Sequence, residues 1–294
     1  MRVIESIENG FIKENTAIAI GTFDGVHTGH RAVIGKATNS GLCPAVFTFD
    51  APPSHSPVIM PKNIKRGVFE SLGMKYCIAP KFGDVKDLSP KDFVLLLQKK
   101  FNAKMLICGF NFRFGKDAAG DAQALSDICE ELGISAEIVP PVLKNGETVS
   151  STNIRKMIES GEIQKANLWL TAPFCFDFEV VHGAHLGTDM MNTPTINQSW
   201  KDGFVIPKFG VYASKTIISG KRFKSITNIG VTPTVENNVL RAETHIFDYD
   251  GRLYGKNPTV ELYSFIRPEM IFGSKEELKA RIIADSNTVA GMDY

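Results

Sequence analysis

The pattern of apolar and polar positions divides the chain into two halves of different texture. In the first half, short and almost continuously apolar runs alternate with amphipathic segments of helical period. Such runs are expected of parallel strands that are buried on both faces. The runs are Thr16–Ile20, Ala45–Phe49, Tyr76–Ala79, Met105–Cys108 and Ala136–Val139. Their alternation with helical segments predicts a doubly wound α/β domain.

Helix start and stop signals fall between these runs. A serine before a proline is typical of an N-cap followed by the first helical residue, and a glycine is typical of the residue after a helix end. The predicted helices follow His30, end at Gly73, begin at Ser89-Pro90, span Ala122–Leu132 before Gly133, and span Thr152–Leu170.

After Pro173 the helical period disappears, and strand-like segments are separated by Gly, Asn, Asp and Pro. These segments are Phe176–His182, Gly210–Ile218, Ser225–Ile229, Ala242–Phe247 and Thr259–Ile266. The next helical signal is a capping box that opens at Ser274 and includes Glu277. We therefore predict an all-β unit, a barrel with one helix at its end. The predicted domains are residues 1–172 and 173–294.

Net charge and cysteine distribution exclude several classes of protein. The 294 residues include 33 Lys and Arg against 32 Asp and Glu, a formal charge of +1, which argues against a dedicated nucleic-acid or membrane-surface binder. The cysteines are five and scattered, without a C-x-x-C pair, which favours a reducing compartment over a disulfide framework or a zinc site. The first residues show no apolar signal-peptide core. We expect a cytoplasmic protein, and the sequence predicts no particular oligomeric state.

The stretch GTFDGVHTGH at 21–30 follows the first predicted strand directly. Its glycines free the backbone to turn and let a ligand approach the N–H groups. The helix behind it presents unpaired N–H groups and a positive dipole end, which suit a phosphate. His27 and His30 are three residues apart and lie on one helix face, where neutral imidazoles can donate to phosphate oxygens. A plain glycine turn with incidental histidines is the alternative.

A second anion-binding signal is the stretch SSTNIR at 150–155. Ser151 and Thr152 at a helix start can cap the helix or bind an anion. Arg155, on the first turn, could grip the same anion with two hydrogen bonds. Taken alone, the stretch is more often a simple helix cap. Paired with the histidine turn, it predicts a second contact to a triphosphate.

Together with GFNFRFGKDAAGD at 109–121, these stretches resemble the adenylyltransferase module of the bacterial bifunctional riboflavin kinase/FMN adenylyltransferase family, also called FAD synthetase. The resemblance implies a Rossmann-like nucleotidyltransferase fold. It implies that the turn and its histidines hold the ATP phosphates, and that Ser151, Thr152 and Arg155 support the leaving pyrophosphate. The implied turn residues are Gly21, Thr22, Phe23, Asp24, Gly25, His27 and His30. The implied nucleotide and flavin contacts are Asn111, Phe112 and Arg113. Phe112 and Phe114 suit stacking on a planar ring, with core packing as the alternative.

The second half resembles the riboflavin kinase of the same family, through segments such as VVHG at 180–183, PTINQ at 194–198, FGVYA at 209–213 and AETH at 242–245. The resemblance implies that Thr195 and Asn197 bind Mg²⁺ and the ATP phosphates, and that Glu243 is the general base for the ribityl hydroxyl. It places Gly183, Pro194 and Tyr212 at the ligand site. Strand alternation puts Glu243, His245 and Phe247 on one face. Arg267 and Glu269 are interpreted as a structural ion pair or loop contact.

The chain departs from the family pattern in three places. The loop 187–194 lacks an arginine, a glycine and a phenylalanine, Thr171-Ala172 replaces a Gly-Arg pair, and the stretch at 49–53 lacks a histidine, for which His55 could substitute. The leading hypothesis is an enzyme that phosphorylates riboflavin with ATP and Mg²⁺ and then adenylylates FMN to FAD. One alternative is an FMN adenylyltransferase with a weakly active kinase barrel, and another is a non-catalytic flavin or nucleotide binder.

Overall fold

The computed structural model describes residues 1–182, 195–233 and 238–294. The chain divides into two compact units, Met1–Ser151 and Thr152–Tyr294. The second compact unit therefore begins earlier than the second predicted domain, because residues 152–172 group with the strands that follow them. The functional boundary at 172/173 stays a prediction.

A parallel sheet of six strands forms the centre of the first unit, as predicted for a doubly wound domain. The strands of this unit are β1 (Arg2–Ile4), β2 (Thr16–Ile20), β3 (Cys43–Phe47), β4 (Tyr76–Ile78), β5 (Ala103–Gly109), β6 (Arg113–Phe114), β7 (Gly120–Asp121), β8 (Ser135–Val139), β9 (Leu143–Lys144) and β10 (Glu147–Thr148). The sheet order is β1-β4-β3-β2-β5-β8, and β6 and β9 pair antiparallel with β7 and β10.

Four helices and two short 3₁₀ turns connect these strands. The helices are α1 (Thr28–Thr38), α2 (Lys62–Ser71), α3 (Pro90–Phe101) and α4 (Ala122–Glu131), and the turns are Phe82–Asp84 and Lys116–Ala118. Ser89 caps α3 by accepting a hydrogen bond from the Asp92 amide, and Gly133 follows α4 with φ +64°. Both predicted boundary signals are confirmed.

The strand order indicates the edge of this sheet at which a ligand is expected to bind. The chain adds β3 and β4 on one side of β2 and then crosses to add β5 on the other side. Ligands of doubly wound sheets bind at such a switch point, outside the carboxyl ends of the strands. Every residue of β2 is buried, so the central strand is a rigid base for the turn that follows it.

The second unit is built on an antiparallel sheet that curls into a half-barrel, in agreement with the predicted barrel class. Its elements are α5 (Ser151–Ser160, beginning on the last residue of the first unit), α6 (Ile163–Trp169), β11 (Cys175–Phe176), β12 (Val180–Val181), β13 (Thr195–Ser199), β14 (Gly210–Ile218), β15 (Lys221–Pro233), β16 (Asn238–Ile246), β17 (Thr259–Arg267) and α7 (Lys275–Ala290). The described strand order is β11-β17-β14-β15-β16-β13-β12.

The two faces of this sheet differ in chemistry. One face carries buried hydroxyls that bond to one another: Ser214 contacts Ser225 and Thr227 at 2.8 Å each, and Thr227 contacts Thr244 at 2.9 Å. Each of these hydroxyls is fully buried and has a partner, so the desolvation cost of the row is offset. The opposite face packs against α7 through an apolar cluster that includes Ile226 and Val289.

The helix cap predicted near the end of the chain is found in this unit, and Arg267 has an ion-pair partner other than the predicted Glu269. Ser274 caps α7 by accepting from the Glu277 amide at 3.2 Å. Arg267 pairs with the buried Asp285 of α7, its Nη2 lying 2.7 Å from Oδ2. This agrees with a structural role for Arg267, with a helix residue as its partner.

Several predicted boundaries were wrong. The single helix predicted over Thr152–Leu170 is two helices, because Gly161 between them has φ +86°, a left-handed conformation that ends α5. The strand predicted over Phe176–His182 is split into β11 and β12. Strand β1 was not predicted, because three residues at a sheet edge carry too short an apolar pattern.

Candidate functional site

The turn after β2 is held in an unusual backbone conformation. Phe23, Gly25 and Val26 all have positive φ, at +50°, +80° and +39°. This region favours glycine, and the two other residues adopt it only because their surroundings hold them there. Phe23 is 1% exposed and packs edge-on against Phe69 of α2, with ring centroids 5.9 Å apart. The turn is thus anchored by its own apolar side chain.

His27 and His30 lie together at the start of α1, as predicted from their spacing. His27 is the N-cap, and its Nδ1 accepts a hydrogen bond from the His30 amide at 3.2 Å. The imidazole rings stack with centroids 3.5 Å apart and planes at 18°. Because Nδ1 of His27 is an acceptor, its proton belongs on Nε2, which is then free to donate to a ligand.

Burial keeps both imidazoles uncharged at neutral pH. It lowers the pKa of His27 to about 4. The pKa of His30 is lowered well below its usual value by burial first, and then by the nearby His27 and Lys65. Thr28 Oγ1 and His30 Nδ1 are buried and have no hydrogen-bond partner among the described residues. Since buried polar atoms are normally paired, these two are suited to the oxygens of a bound phosphate.

Asp24 forms hydrogen bonds within the protein through both its side chain and its backbone carbonyl. The Asp24 carboxylate accepts from the Ile59 amide at 3.0 Å and from the Met60 amide at 3.4 Å. The Asp24 carbonyl accepts from Ser151 Oγ at 2.9 Å, so the first residue of α5 is tied to the turn. These bonds show how Asp24 and Ser151 shape the turn, while their predicted contacts to nucleotide stay predictions.

A buried lysine of this region was not identified from the sequence. Lys65 of α2 is 1% exposed, and its Nζ donates to the carbonyl oxygens of Thr22 and Phe49. The available signal was its position: Lys65, Val68 and Phe69 form the buried stripe of α2, where a cation is unexpected.

The predicted flavin and nucleotide contacts after β5 lie at the same carboxyl edge as the histidine turn, because β2 and β5 are adjacent parallel strands. Asn111 and Arg113 are exposed, and Arg113 lies 3.6 Å from Asp121. Phe112 is half-buried and stacks on Phe114 with centroids 5.4 Å apart. Phe114 is 7% exposed and belongs to the core of the unit, so core packing, the alternative stated for it, is what the structure shows.

The second predicted anion-binding stretch, at 150–155, includes Ser151, which bonds to the Asp24 carbonyl of the histidine turn. Thr152 and Arg155 follow Ser151 on the first turn of α5 and belong to the second compact unit. Thr152 is exposed and Arg155 is half-buried. Their predicted role at the leaving pyrophosphate is not tested by this geometry. His55, considered as a substitute for a missing family histidine, is exposed in a turn at φ +57°.

The candidate kinase residues form a row across three adjacent strands. Register pairs Asn197 of β13 with Glu243 of β16, and pairs Glu243 in turn with Asn228 of β15. Paired residues of an antiparallel sheet have Cβ atoms about 5 Å apart, so these three side chains share one face. Thr195 pairs with His245 one step along the same face. The predicted alternation is confirmed, since Ala242, Thr244 and Ile246 are buried on the other face.

Glu243 is half-buried, and this burial raises the pKa of its carboxyl, an effect that Arg241 partly offsets. Asn197 is 9% exposed, and its Oδ1 has no hydrogen-bond partner among the described residues. That oxygen and the Thr195 hydroxyl fit a hard cation such as Mg²⁺, which takes oxygen ligands and shares substrate phosphates. The described residues contain no group of three or more His, Cys, Asp or Glu that could hold a metal.

Three further residues were predicted at this site. Gly183 and Pro194 lie outside the described residues, as does the altered loop 187–194. Tyr212 is fully buried, donates from its hydroxyl to the Lys208 carbonyl and packs edge-on against Phe265 at 5.2 Å. The ligand contact predicted for Tyr212 stays a prediction, and its hydroxyl is already bonded within the unit.

Two family profiles match the chain one after the other. The profile described as FAD synthetase matches residues 11–153, and that described as riboflavin kinase matches residues 170–292. Curated relatives named bifunctional riboflavin kinase/FMN adenylyltransferase match almost the whole length. That of Bacillus subtilis (strain 168) is 31% identical, covering 93% of this chain and 92% of its own. That of Escherichia coli (strain K12) is 31% identical, covering 98% and 96%.

A solved structure shares the whole architecture. A crystal structure of a Streptococcus pneumoniae protein, described as a macrolide-efflux protein, superposes with a TM-score of 0.88, 25% sequence identity and 99% coverage of both chains. Among the described helices, none combines the length and the apolar character needed to cross a membrane.

Proposed function

The chain belongs to the bifunctional riboflavin kinase/FMN adenylyltransferase family, and from that premise we propose which residues carry each of its two reactions. The enzyme phosphorylates riboflavin to FMN with ATP and adenylylates FMN to FAD, releasing pyrophosphate. Adenylyl transfer is assigned to the predicted domain 1–172, most of which lies within the FAD synthetase match at 11–153. Riboflavin phosphorylation is assigned to the half-barrel, within the riboflavin kinase match.

In adenylyl transfer, a phosphate oxygen of FMN attacks the α-phosphorus of ATP, and the bond from that phosphorus to the bridging oxygen of the β-phosphate breaks. No covalent enzyme intermediate is needed, so the protein positions the groups and stabilises developing charge. We assign this work to Nε2–H of His27, to His30 and to the amides of the turn 21–30. Ser151, Thr152 and Arg155 stabilise the leaving pyrophosphate. The support is the stacked, uncharged histidine pair at the amino end of α1.

In the kinase reaction, Glu243 takes the proton from the ribityl hydroxyl of riboflavin as that oxygen attacks the γ-phosphorus of ATP. The bond from that phosphorus to the bridging oxygen of the β-phosphate breaks, and ADP leaves. A raised carboxyl pKa makes Glu243 a stronger base. Thr195 and Asn197 would hold Mg²⁺, which neutralises phosphate charge when bound. The observation that carries this assignment is the register of Asn197, Glu243 and Asn228 on one face.

One assay tests whether the enzyme catalyses both reactions. Purified protein is incubated with Mg·ATP and either riboflavin or FMN, and the flavins are separated by chromatography. The proposal expects FMN and then FAD from riboflavin, and FAD from FMN. Formation of FAD from FMN alone would instead select an adenylyltransferase with an inactive barrel, an alternative that the match of both profiles does not favour. No turnover of either substrate would leave a flavin or nucleotide binder.

We further propose that the partners of the enzyme are these small molecules and that it works in a reducing compartment, the cytoplasm. All five cysteines are free thiols in the structure. Burial raises the pKa of Cys77 and Cys129 to about 11, so these thiols are unreactive at neutral pH. Fractionation of cells with an antibody against the protein would test the location.

A further inference from the structure

The Lys65 ammonium binds backbone carbonyls next to the proposed adenylyl-transfer site. Its Nζ donates to the Thr22 carbonyl at 3.4 Å and to the Phe49 carbonyl. Thr22 lies in the turn that leads to His27, and Phe49 lies in the segment that follows β3. Because β2 and β3 are neighbouring parallel strands, the ammonium links the two loops at the carboxyl edge of the sheet.

Burying the Lys65 ammonium costs solvation free energy, so other interactions must compensate for it. Its side chain is 1% exposed, and burial lowers its pKa, while the carboxylates of Asp24 and Asp50 act in the opposite direction. A buried ammonium is tolerated when hydrogen bonds and nearby charges compensate for lost hydration. A leucine or methionine on the same stripe of α2 would avoid that cost altogether, yet it could not bind the two carbonyls.

The two carbonyls that Lys65 binds also accept from the Thr48 hydroxyl. Thr48 Oγ1 lies 2.8 Å from the Thr22 carbonyl oxygen and 3.4 Å from that of Phe49, so two donors converge on each. Phe23, the next residue, has φ +50° and packs on Phe69, one turn beyond Lys65 on α2. The helix α2 thus holds the strained turn twice, through an apolar ring and through an ammonium.

We propose that Lys65 is a positioning residue for adenylyl transfer: by binding the Thr22 and Phe49 carbonyls, its ammonium holds the turn so that His27 and the turn amides meet the ATP phosphates. Lys65 itself touches no substrate in this role. The lowering of the His30 pKa by Lys65 agrees with a cation close beneath the histidine pair. The role rests on the adenylyl transfer proposed above for the same unit.

The test uses the full-length enzyme and three substitutions. Lys65→Met removes donors and charge, Lys65→Gln keeps a donor without charge, and Lys65→Arg keeps both. For FAD formation from FMN, Lys65→Met is expected to lower kcat/KM for ATP about 10²-fold, as for other small displacements of binding groups. Much of the loss is expected as a higher KM for ATP, with the KM for FMN little changed. Lys65→Gln or Lys65→Arg should recover part of it.

The KM for ATP distinguishes positioning from mere stability, because a partly unfolded sample lowers the apparent kcat and leaves KM unchanged. Lys62→Met is the matched control, since Lys62 lies one turn earlier on α2 and is exposed. Phosphorylation of riboflavin, measured in the same samples, should stay at the wild-type rate in every variant.

Other outcomes overturn the proposal. A folded Lys65→Met enzyme with wild-type KM for ATP would do so, and so would a loss of kcat that only matches its unfolded fraction. If Lys65→Met does not fold, Lys65→Gln carries the test under the same criteria, and failure of both to fold would make Lys65 a folding residue only. A wild-type enzyme that forms no FAD would instead refute the proposed function.

Discussion

The two candidate sites are built on sheets of opposite kinds. In the first unit, the site lies at the ends of parallel strands, and its histidine pair comes from one turn between β2 and α1. In the half-barrel, the site lies on the face of an antiparallel sheet, and its groups come from three strands in register. A parallel sheet presents functional side chains to ligands mainly at its carboxyl edge, because its faces are covered by helices. An antiparallel sheet can present them along a face.

Burial disfavours the charged form of the titratable group at both sites, and the consequence differs between them. Desolvation disfavours the charged form of any group. It lowers the pKa of His27 to about 4 and so makes the imidazole a neutral donor at pH 7. It raises the pKa of Glu243 and so makes the carboxylate a better base. One physical effect therefore supplies a phosphate binder in one unit and a proton acceptor in the other.

Removal of the base is expected to separate the two activities most strongly. Glu243→Gln keeps the shape of the side chain and cannot accept the ribityl proton, so we expect kcat for FMN formation to fall about 10²- to 10⁴-fold. FAD formation from FMN should be unchanged. Both rates are measured by chromatography of the flavins.

The control for this substitution is Glu276→Gln, which changes an exposed glutamate on the first turn of α7. Equal loss of both activities in a folded Glu243→Gln enzyme would contradict two separate sites.

Removal of a histidine is the converse experiment. His30→Asn deletes the stacked imidazole that lies against His27 and Phe23. Loss of one preorganised donor in the transition state costs about 10²- to 10³-fold in kcat, and we expect this loss in FAD formation only. His55→Asn is the comparison variant, because His55 is exposed in the same unit and is expected to leave the rate unchanged. A large effect of His55→Asn would assign the missing family histidine to that position.

A smaller effect is expected at the predicted magnesium ligand. Asn197→Ala removes the buried Oδ1 that lacks a partner among the described residues. We expect the Mg²⁺ concentration needed for half-maximal kinase activity to rise about tenfold, since an outer or single neutral ligand contributes this much to metal affinity. Ser199→Ala, at the end of the same strand, should not change it. An unaltered Mg²⁺ requirement in Asn197→Ala would remove Asn197 from the ligand set.

The pH dependence gives the mildest contrast between the sites. With saturating Mg·ATP, kcat/KM for riboflavin should fall as the pH drops through the pKa of Glu243, which lies above its usual value of 4.5. The histidine pair should show no matching change, because the pKa of His27 is about 4. An NMR titration of His27 is therefore expected to be flat from pH 7 to pH 5. A histidine that titrates near 6.5 would contradict its burial.

Much of this architecture follows from local sequence. The central strand β2 has the predicted bounds, and the caps at Ser89 and Ser274 were identified from adjacent residues. The histidine turn was identified because a strand end, three glycines and a helix start are contiguous in the chain. Local patterns predict such features well, since the forces that stabilise them act between near neighbours.

Other features were decided only by the tertiary structure. The sequence by itself determined the two fold classes, the family and the residue types at each site. It did not show that Gly161 divides a helix, that Phe114 is a core residue, or that Lys65 holds the strained turn. These depend on burial and register between segments far apart in the chain, which set pKa values and pairings through the packed interior. The histidine motif is local, and its neutrality is a property of the fold around it.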